Sequence, residues 1–257
     1  MSYSNSLKGF LGFSVFFLSI LFATFSSTSA NTNSSTAASY QFDEYSKCLY
    51  NDCQLSQKQL KYDVFKHALV GYYNMIEKGQ ILANKSTLSI VDFSKPSYQK
   101  RLYVIDIKIR KVLHYTYVAH GKNTGLISAD KFSNTQQSLQ SSLGFYKTAE
   151  TYEGKHGYSL RLDGLESGFN SNARSRAVVM HGADYVSSDF VQQHGRLGRS
   201  WGCPAVSRAE SKPIINTIKG GNCLFIYKNQ STYLQKSRLL NEYIAASFFV
   251  KNKYLFA

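Results

Sequence analysis

The chain has 257 residues, of which 43% are hydrophobic, 14% aromatic and only 18% charged. This composition excludes a mostly disordered chain, a collagen-like repeat and a small disulfide-dense scaffold, and the length suits one domain with a well-formed core. The net charge of +14 favours nucleic acids, anionic membranes or acidic envelope polymers as partners. Because the basic residues are spread along the chain and match no zinc-finger, basic-zipper or RNA-binding pattern, we expect no nucleic-acid partner.

Residues 1–30 have the pattern of a secretory signal peptide. Lys8 is the only charged residue before Asp43, and an apolar run over residues 10–25 follows it and leads to small residues ending at Ala30. A membrane anchor is the alternative, but the run is shorter than the about 20 residues that a spanning helix needs. We therefore expect cleavage, no stable membrane anchor, and a protein that is exported to the periplasm or cell envelope or secreted.

The next two segments predict a linker and a helix. Residues 31–44 are rich in Ser, Thr and Asn, which is typical of a polar linker. Within residues 45–85, Ser56-Gln57-Lys58-Gln59 has the form of a capping box, and apolar residues then recur at helical spacing from Leu60 to Ile76. This pattern predicts an amphipathic helix over about residues 57–78, packed on the domain that follows.

From residue 87 the pattern changes to short apolar runs separated by Gly, Asn, Ser and Pro. It predicts seven strands, over residues 88–93, 101–107, 112–119, 144–151, 158–162, 177–181 and 224–227. Because no helices regularly separate these runs, the sequence favours a mainly β domain over residues 86–230, folded as a sandwich or barrel. The tail, residues 231–257, is predicted to include a helix packed on the outside.

The four cysteines have different sequence environments. In an exported protein, cysteines first suggest disulfides. Cys48 and Cys53 are near enough in sequence for a disulfide between them to close a small loop, and the sequence leaves open whether that disulfide forms. Cys223 lies in an apolar run that is typical of a buried structural thiol. Cys203 lies between Gly202 and Pro204, where a disulfide to Cys223 and a reactive thiol are both compatible with the local sequence.

A reactive thiol at Cys203 would need a neighbouring base. His181 ends an apolar run, so we expect it at a strand end, where it would face the Gly202-Cys203 turn and accept the thiol proton. Backbone N–H groups of the Trp201-Gly202-Cys203 turn, Trp201 and Gly202 among them, would hold an oxyanion. Positive neighbours would favour the thiolate, and five arginines surround the two segments in sequence: Arg174, Arg176, Arg196, Arg199 and Arg208.

Zinc is an alternative chemistry for this part of the chain. His181, Asp184 and His194 offer nitrogen and oxygen ligands, and His120 is a further candidate. No paired zinc-binding spacing accompanies them. We therefore expect no metal.

The order of two short segments resembles the L,D-transpeptidase catalytic domain family. That family carries a His-Gly, a spacer and then Ser/Thr-x-Gly-Cys, matched here by Met180-His181-Gly182 and Ser200-Trp201-Gly202-Cys203. The resemblance covers roughly residues 60–228 through further short segments at residues 118–123, 132–134, 141–146, 160–162 and 173–177. It implies an L,D-transpeptidase-like sandwich or barrel without a cofactor. It also implies Cys203 as nucleophile, His181 as base oriented by the carbonyl of Gly182, and an oxyanion hole at the Gly202 turn.

The resemblance implies a reaction on peptidoglycan stem peptides. Cys203 would attack the bond between the diamino acid at position three and D-Ala at position four, and D-Ala would leave. An amine from another stem peptide would resolve the thioester into a 3→3 cross-link. The protein is expected to act as a monomer.

This sequence departs from the family pattern at three places. Trp201 stands where many members have a second His, Ala205 stands where Asn or Arg is common, and the spacer from His181 to Ser200 is long. These departures leave the acceptor and the contacts to the substrate carboxylate open. From their charge alone, we expect Arg199 and Arg196 to make the contacts to the substrate carboxylate in place of the family's usual residues.

Other candidates for the substrate cleft are Ser200 and His120, although a structural role at a strand end suits His120 equally well. His156 and His194 are interpreted as loop residues.

Two other functions remain open at this stage. An L,D-carboxypeptidase or a cross-link-cleaving amidase would use the same thioester and let water resolve it. A non-catalytic wall-binding protein, with Cys203 bridged to Cys223, is the alternative from another class.

Overall fold

The computed structural model describes residues 36–255. The predicted signal peptide and the first residues of the predicted linker lie outside this range. Within it, no helix combines the length and apolarity that crossing a membrane would require.

Eight strands and six α-helices form the described chain. The strands are β1 (Thr87–Asp92), β2 (Leu102–Asp106), β3 (Lys111–Thr116), β4 (Gly144–Gly154), β5 (Gly157–Gly164), β6 (Val179–Ala183), β7 (Ala205–Ser207) and β8 (Cys223–Tyr227). The helices are α1 (residues 36–52), α2 (Tyr62–Glu77), α3 (Ser188–His194), α4 (Arg208–Ile218), α5 (Ser231–Lys236) and α6 (Glu242–Asn252). Short 3-10 helices at Arg238–Leu240 and Lys253–Leu255 complete the C-terminal tail.

All eight strands belong to one sheet in the order β3-β2-β1-β8-β4-β5-β6-β7. The pairs β1–β8 and β6–β7 are parallel, and the other neighbours are antiparallel. Beyond the end of β3, Ala119 forms an antiparallel bridge with Ala205 of β7, so the two edges of the sheet meet and the sheet is nearly closed. The predicted mainly β, barrel-like fold is confirmed.

Helix α2 packs across the centre of this sheet. Its Gly71 faces the ring of Phe145 in β4, and a Cβ added at Gly71 would lie 1.9 Å from that ring. Phe145 in turn stacks on Phe225 of β8 with ring centroids 4.0 Å apart. The absence of a side chain at one helical position therefore lets the helix approach the middle of the sheet.

Two predictions for the N-terminal region are wrong. Residues 36–44, predicted as part of the linker, belong to α1, and α2 begins at Tyr62 rather than near residue 57. Gln59 has a left-handed backbone with φ of 58°, which breaks a right-handed helix at that point. Residues 53–59 form turns that bury Leu55, so burial of an apolar side chain outweighs the capping signal at Ser56.

The strand predictions agree with the structure to within a few residues at each end, apart from β7. The sequence analysis did not predict α3 and α4. In the tail, α5 and α6 confirm the predicted helix, and Phe249 of α6 packs against Phe42 and Tyr45 of α1.

Candidate active site

The parallel pair β6–β7 brings His181 and Cys203 into one region. His181 lies in β6 opposite Ala205 of β7, and Cys203 precedes β7 by two residues. The sulfur of Cys203 accepts a hydrogen bond from the N–H of Val179 at 3.4 Å and lies 3.7 Å from the carbonyl oxygen of Ala177. The thiol therefore lies against the start of the strand that carries the imidazole.

The backbone fixes the tautomer of His181. Its Nδ1 lies 3.0 Å from the carbonyl oxygen of Gly182, and a carbonyl only accepts, so Nδ1 carries the proton. The neutral ring then has its free lone pair on Nε2, the arrangement that a general base requires. Burial lowers the pKa of His181, and this effect exceeds the opposing effect of the Gly182 carbonyl, so the ring is neutral at neutral pH.

The thiol of Cys203 is protonated until a base assists it. Burial raises its pKa, whereas the Val179 N–H and the positive charges of Arg176 and Lys155 lower it. All four cysteines are free, and Cys223 lies in the core with its sulfur 3.4 Å from that of Met75. The disulfides considered for Cys203 with Cys223 and for Cys48 with Cys53 are not formed.

Ser200 holds the turn that carries Cys203. Its hydroxyl donates to the carbonyl of Cys203 at 2.6 Å and accepts from the N–H of Gly202 at 3.1 Å. Gly202 has φ of 125°, and a Cβ there would lie 2.8 Å from the carbonyl oxygen of Gln140, so the position requires glycine. The Gly202 N–H is thus already paired, whereas within the described residues the N–H groups of Trp201 and Cys203 have no hydrogen-bond acceptor.

Arg176 holds together the loop over residues 133–142, which lies beside this turn. Its guanidinium donates to the carbonyl oxygens of Ser133 and Gln140 at 2.7 and 2.6 Å and also bonds the hydroxyls of Ser138 and Ser142. The loop is tied to the turn by Ser141, whose hydroxyl donates to the carbonyl of Gly202 at 3.1 Å. Arg176 is the arginine whose charge lowers the pKa of Cys203. The sequence alone did not show which of the five arginines would have this effect.

The tip of the β4–β5 hairpin reaches the same region. The ring of His156 stacks on that of His181 with centroids 4.3 Å apart and an interplanar angle of 20°. The ammonium of Lys155 lies 4.8 Å from the centre of the Trp201 ring, and Trp201 is 70% exposed. His156 was interpreted from the sequence as a loop residue, and no local pattern reveals its contact because the partner is distant along the chain.

The remaining predicted site residues form backbone contacts. Arg199 donates to the carbonyl oxygens of Lys122 and Gly125 at 3.1 and 3.4 Å, and Arg196 donates to that of Leu197 at 2.9 Å. Neither is among the main charges that shift the pKa of Cys203 or His181. Both are at least partly exposed, so they stay candidates for the substrate carboxylate.

His120 is fully buried. Its Nδ1 lies 2.8 Å from Nη2 of Arg101, and its Nε2 lies 3.2 Å from the carbonyl oxygen of Gly125. Burial and the charge of Arg101 lower its pKa to about 3. These contacts favour the structural role, since a ring without exposed surface cannot touch substrate in this conformation.

Within residues 36–255, no three His, Cys, Asp or Glu side chains are grouped as metal ligands would be.

Residues 56–227 match the family model of the L,D-transpeptidase catalytic domain. Similar solved structures include an L,D-transpeptidase from Mycobacterium smegmatis (13% identity, TM-score 0.35, 56% of this chain and 59% of that chain). L,D-transpeptidase 3 from Mycobacterium tuberculosis is 10% identical (TM-score 0.34, 56% of this chain and 61% of that chain). The helical cell shape determining protein Pgp2 from Campylobacter jejuni is 11% identical (TM-score 0.36, 71% of this chain and 63% of that chain). The chain thus spans less than two thirds of each of these structures, and no curated protein matches it.

Proposed function

Because the chain belongs to the L,D-transpeptidase catalytic domain family, we propose that it is a peptidoglycan L,D-transpeptidase with Cys203 as nucleophile and His181 as base. One observation carries the assignment of these roles. The Gly182 carbonyl holds the proton of His181 on Nδ1, which leaves Nε2 unprotonated on the strand whose backbone contacts the Cys203 sulfur. No direct hydrogen bond joins the two described side chains, which is common in an active site before substrate binds.

In the first half of the reaction, Nε2 of His181 takes the thiol proton as the sulfur attacks the carbonyl carbon of the diamino acid at stem position three. The N–H groups of Trp201 and Cys203 would stabilise the resulting oxyanion, while the Gly202 N–H stays on Ser200 and keeps the turn in shape. The imidazolium then returns its proton to the amine of D-Ala, which leaves, and a thioester remains on Cys203.

In the second half, the side-chain amine of another stem peptide attacks the thioester carbonyl. His181 removes a proton from that amine, the carbon–sulfur bond breaks, and the proton passes to the sulfur, which restores the thiol and yields a 3→3 cross-link. Water in place of the amine would make the same site an L,D-carboxypeptidase, and a cross-linked substrate would make it an amidase. The substrate is a cell-wall polymer, so we place the enzyme outside the cytoplasm.

The test is incubation of the purified protein with a disaccharide-tetrapeptide and analysis of the products by mass spectrometry. A cross-linked dimer lacking one D-Ala is expected, and Cys203→Ala and His181→Asn should abolish it. Cys48→Ala and His194→Asn, which change a free exposed cysteine and an exposed histidine elsewhere, are the matched controls and should retain activity. If tripeptide is the only product, the activity is that of an L,D-carboxypeptidase. If no product depends on Cys203, both activities are contradicted.

A further inference from the structure

We propose that the tip of the β4–β5 hairpin belongs to the active site, and that His156 is a positioning residue whose neutral ring supports the imidazolium of His181. The inference rests on the proposed function, because it concerns the proton that His181 takes from Cys203. It adds to that function a residue whose own protonation controls the base.

Two consecutive residues of the hairpin turn contact two different parts of the site. His156 lies face to face with His181, and Lys155 lies over the ring of Trp201, the residue just before the Gly202-Cys203 turn. Gly154 and Gly157 pair at the end of the ladder, so this is a tight turn that projects both side chains. His156 is exposed whereas His181 is only 2% exposed, so the contact covers one face of the buried ring.

The charged groups around His181 come from two elements. The hairpin contributes Lys155 and His156, and α4 contributes Arg208, whose guanidinium is paired with Asp184 at 2.5 Å. After burial, the charges of Lys155 and Arg208 also lower the pKa of His156. At neutral pH both rings of the stack are therefore neutral before the reaction starts.

Proton transfer from Cys203 changes the charge of one ring. An imidazolium at His181 against the face of a neutral aromatic ring is attractive, whereas two imidazolium rings at this distance repel each other. A neutral His156 therefore favours the transfer, and a protonated His156 opposes it. Protonation of His156 should consequently add to the loss of activity on the acid side of the pH profile.

The decisive variants differ in charge at position 156 while they keep a planar group there. We expect log(kcat/KM) of the natural enzyme to fall more steeply on the acid side than that of His156→Phe, which should fall with a slope of one. His156→Arg places a permanent planar cation on the base and should lower kcat/KM at pH 7.5 by about threefold, the factor that half a pKa unit at His181 corresponds to. His194→Phe, on an exposed histidine of α3, is the matched control and should follow the natural profile.

A measurement without turnover separates this inference from the proposed function. The ring protons of His181, followed by NMR in the full-length protein, should titrate with the highest pKa in His156→Phe, an intermediate value in the natural chain and the lowest in His156→Arg. Steps of about half a pH unit are expected for charges at this separation. Equal values in all three proteins would overturn the inference even if the enzyme is active. The expected order in a protein without product formation would support the stack and refute the transpeptidase.

Discussion

Ser200 fastens the backbone of the turn that carries Cys203. Its hydroxyl makes both side-chain hydrogen bonds within residues 200–203, and it is only 4% exposed. We expect Ser200→Ala to leave the Gly202 N–H and the Cys203 carbonyl without these partners and to cost about 1–3 kcal/mol of stability. The rate of Cys203 alkylation by iodoacetamide and the midpoint of urea unfolding would both report the change.

The control for this change is Ser200→Thr, which keeps the hydroxyl. It should preserve the alkylation rate and most of the stability. If alanine and threonine gave the same rate and the same midpoint, the hydroxyl would have no role in holding the turn.

Gly182 supplies more than a carbonyl to His181. A Cβ at this position would lie 2.7 Å from Oγ of Ser211 and 3.1 Å from Cα of Arg208, so α4 packs directly on the strand. Gly182→Ala should push β6 and α4 apart, cost about 1–3 kcal/mol and displace the carbonyl that orients the base. Ser211→Ala removes the nearer atom, and the double variant should recover part of both stability and activity. Additive losses in this double-mutant cycle would contradict the packing argument.

Helix α1 is attached to the domain by aromatic packing and ion pairs. The ring of Phe42 is fully buried and lies 5.7 Å, between centroids, from both Tyr73 and Phe249. Lys66 of α2 bonds Asp43 of α1 and Glu242 of α6, each at 2.9 Å. These contacts join the first and last α-helices of the described chain through α2.

We expect Phe42→Ala to lower the free energy of unfolding by about 3–5 kcal/mol, as truncation of a buried Phe does. Tyr40→Ala, on the same helix at a side chain that is 67% exposed, should change it by less than about 0.5 kcal/mol. Urea denaturation followed by circular dichroism provides the comparison. Equal small effects would mean that α1 folds independently of the sheet.

The elements that the sequence predicted are those whose signal is local. Strand β8 is a continuous apolar run, and β1 combines the apolar Leu88, Ile90 and Val91 with buried polar residues. Six of the eight strands are fully or partly buried over five or more residues. Strand β7 has only three residues and gives no periodicity. Helix α4 does carry a signal, because Ser207 caps the N–H of Glu210 and bonds its carboxylate at 2.7 Å. The same spacing at Ser56 and Gln59 led to a wrong prediction of a helix start, because Gln59 has a left-handed backbone and belongs to a turn.

The site was predictable in part for the same reason. His181, Gly202 and Cys203 lie in two short sequence segments, which is why the sequence could indicate them. The contacts of Arg176 with residues 133–142 and of His156 with His181 instead join distant parts of the chain. Sheet order brings β5 beside β6, and only that pairing places the β4–β5 turn over the base. Such contacts follow from strand register and sheet topology, and no single local segment of the sequence determines either of them.

Across the whole molecule, Glu166 joins the sheet to the C-terminal tail. Its carboxylate accepts from the N–H of Phe145 in β4 and from the hydroxyl of Tyr233 in α5, both at 2.8 Å, and it also bonds the hydroxyl of Ser237. Burial raises the pKa of Glu166, against the effect of these three donors. The folded protein therefore binds the proton more tightly than the unfolded chain does.

This shift makes the stability of the protein depend on pH. The contribution of the bound proton is fully present below the unfolded pKa of about 4.3 and is lost as pH rises through the folded pKa. In Glu166→Gln the side chain keeps one oxygen acceptor, its amide can donate to a hydroxyl, and no charge is buried at any pH. From pH 4 to pH 7.5, we expect the stability of this variant relative to the natural protein to increase by about 1 kcal/mol. Glu166→Ala, which leaves three donors unpaired, should instead be less stable by about 2–4 kcal/mol at both pH values. Urea midpoints at the two pH values measure these differences. A glutamine variant whose stability runs parallel to that of the natural protein would show that folding does not raise the pKa of Glu166.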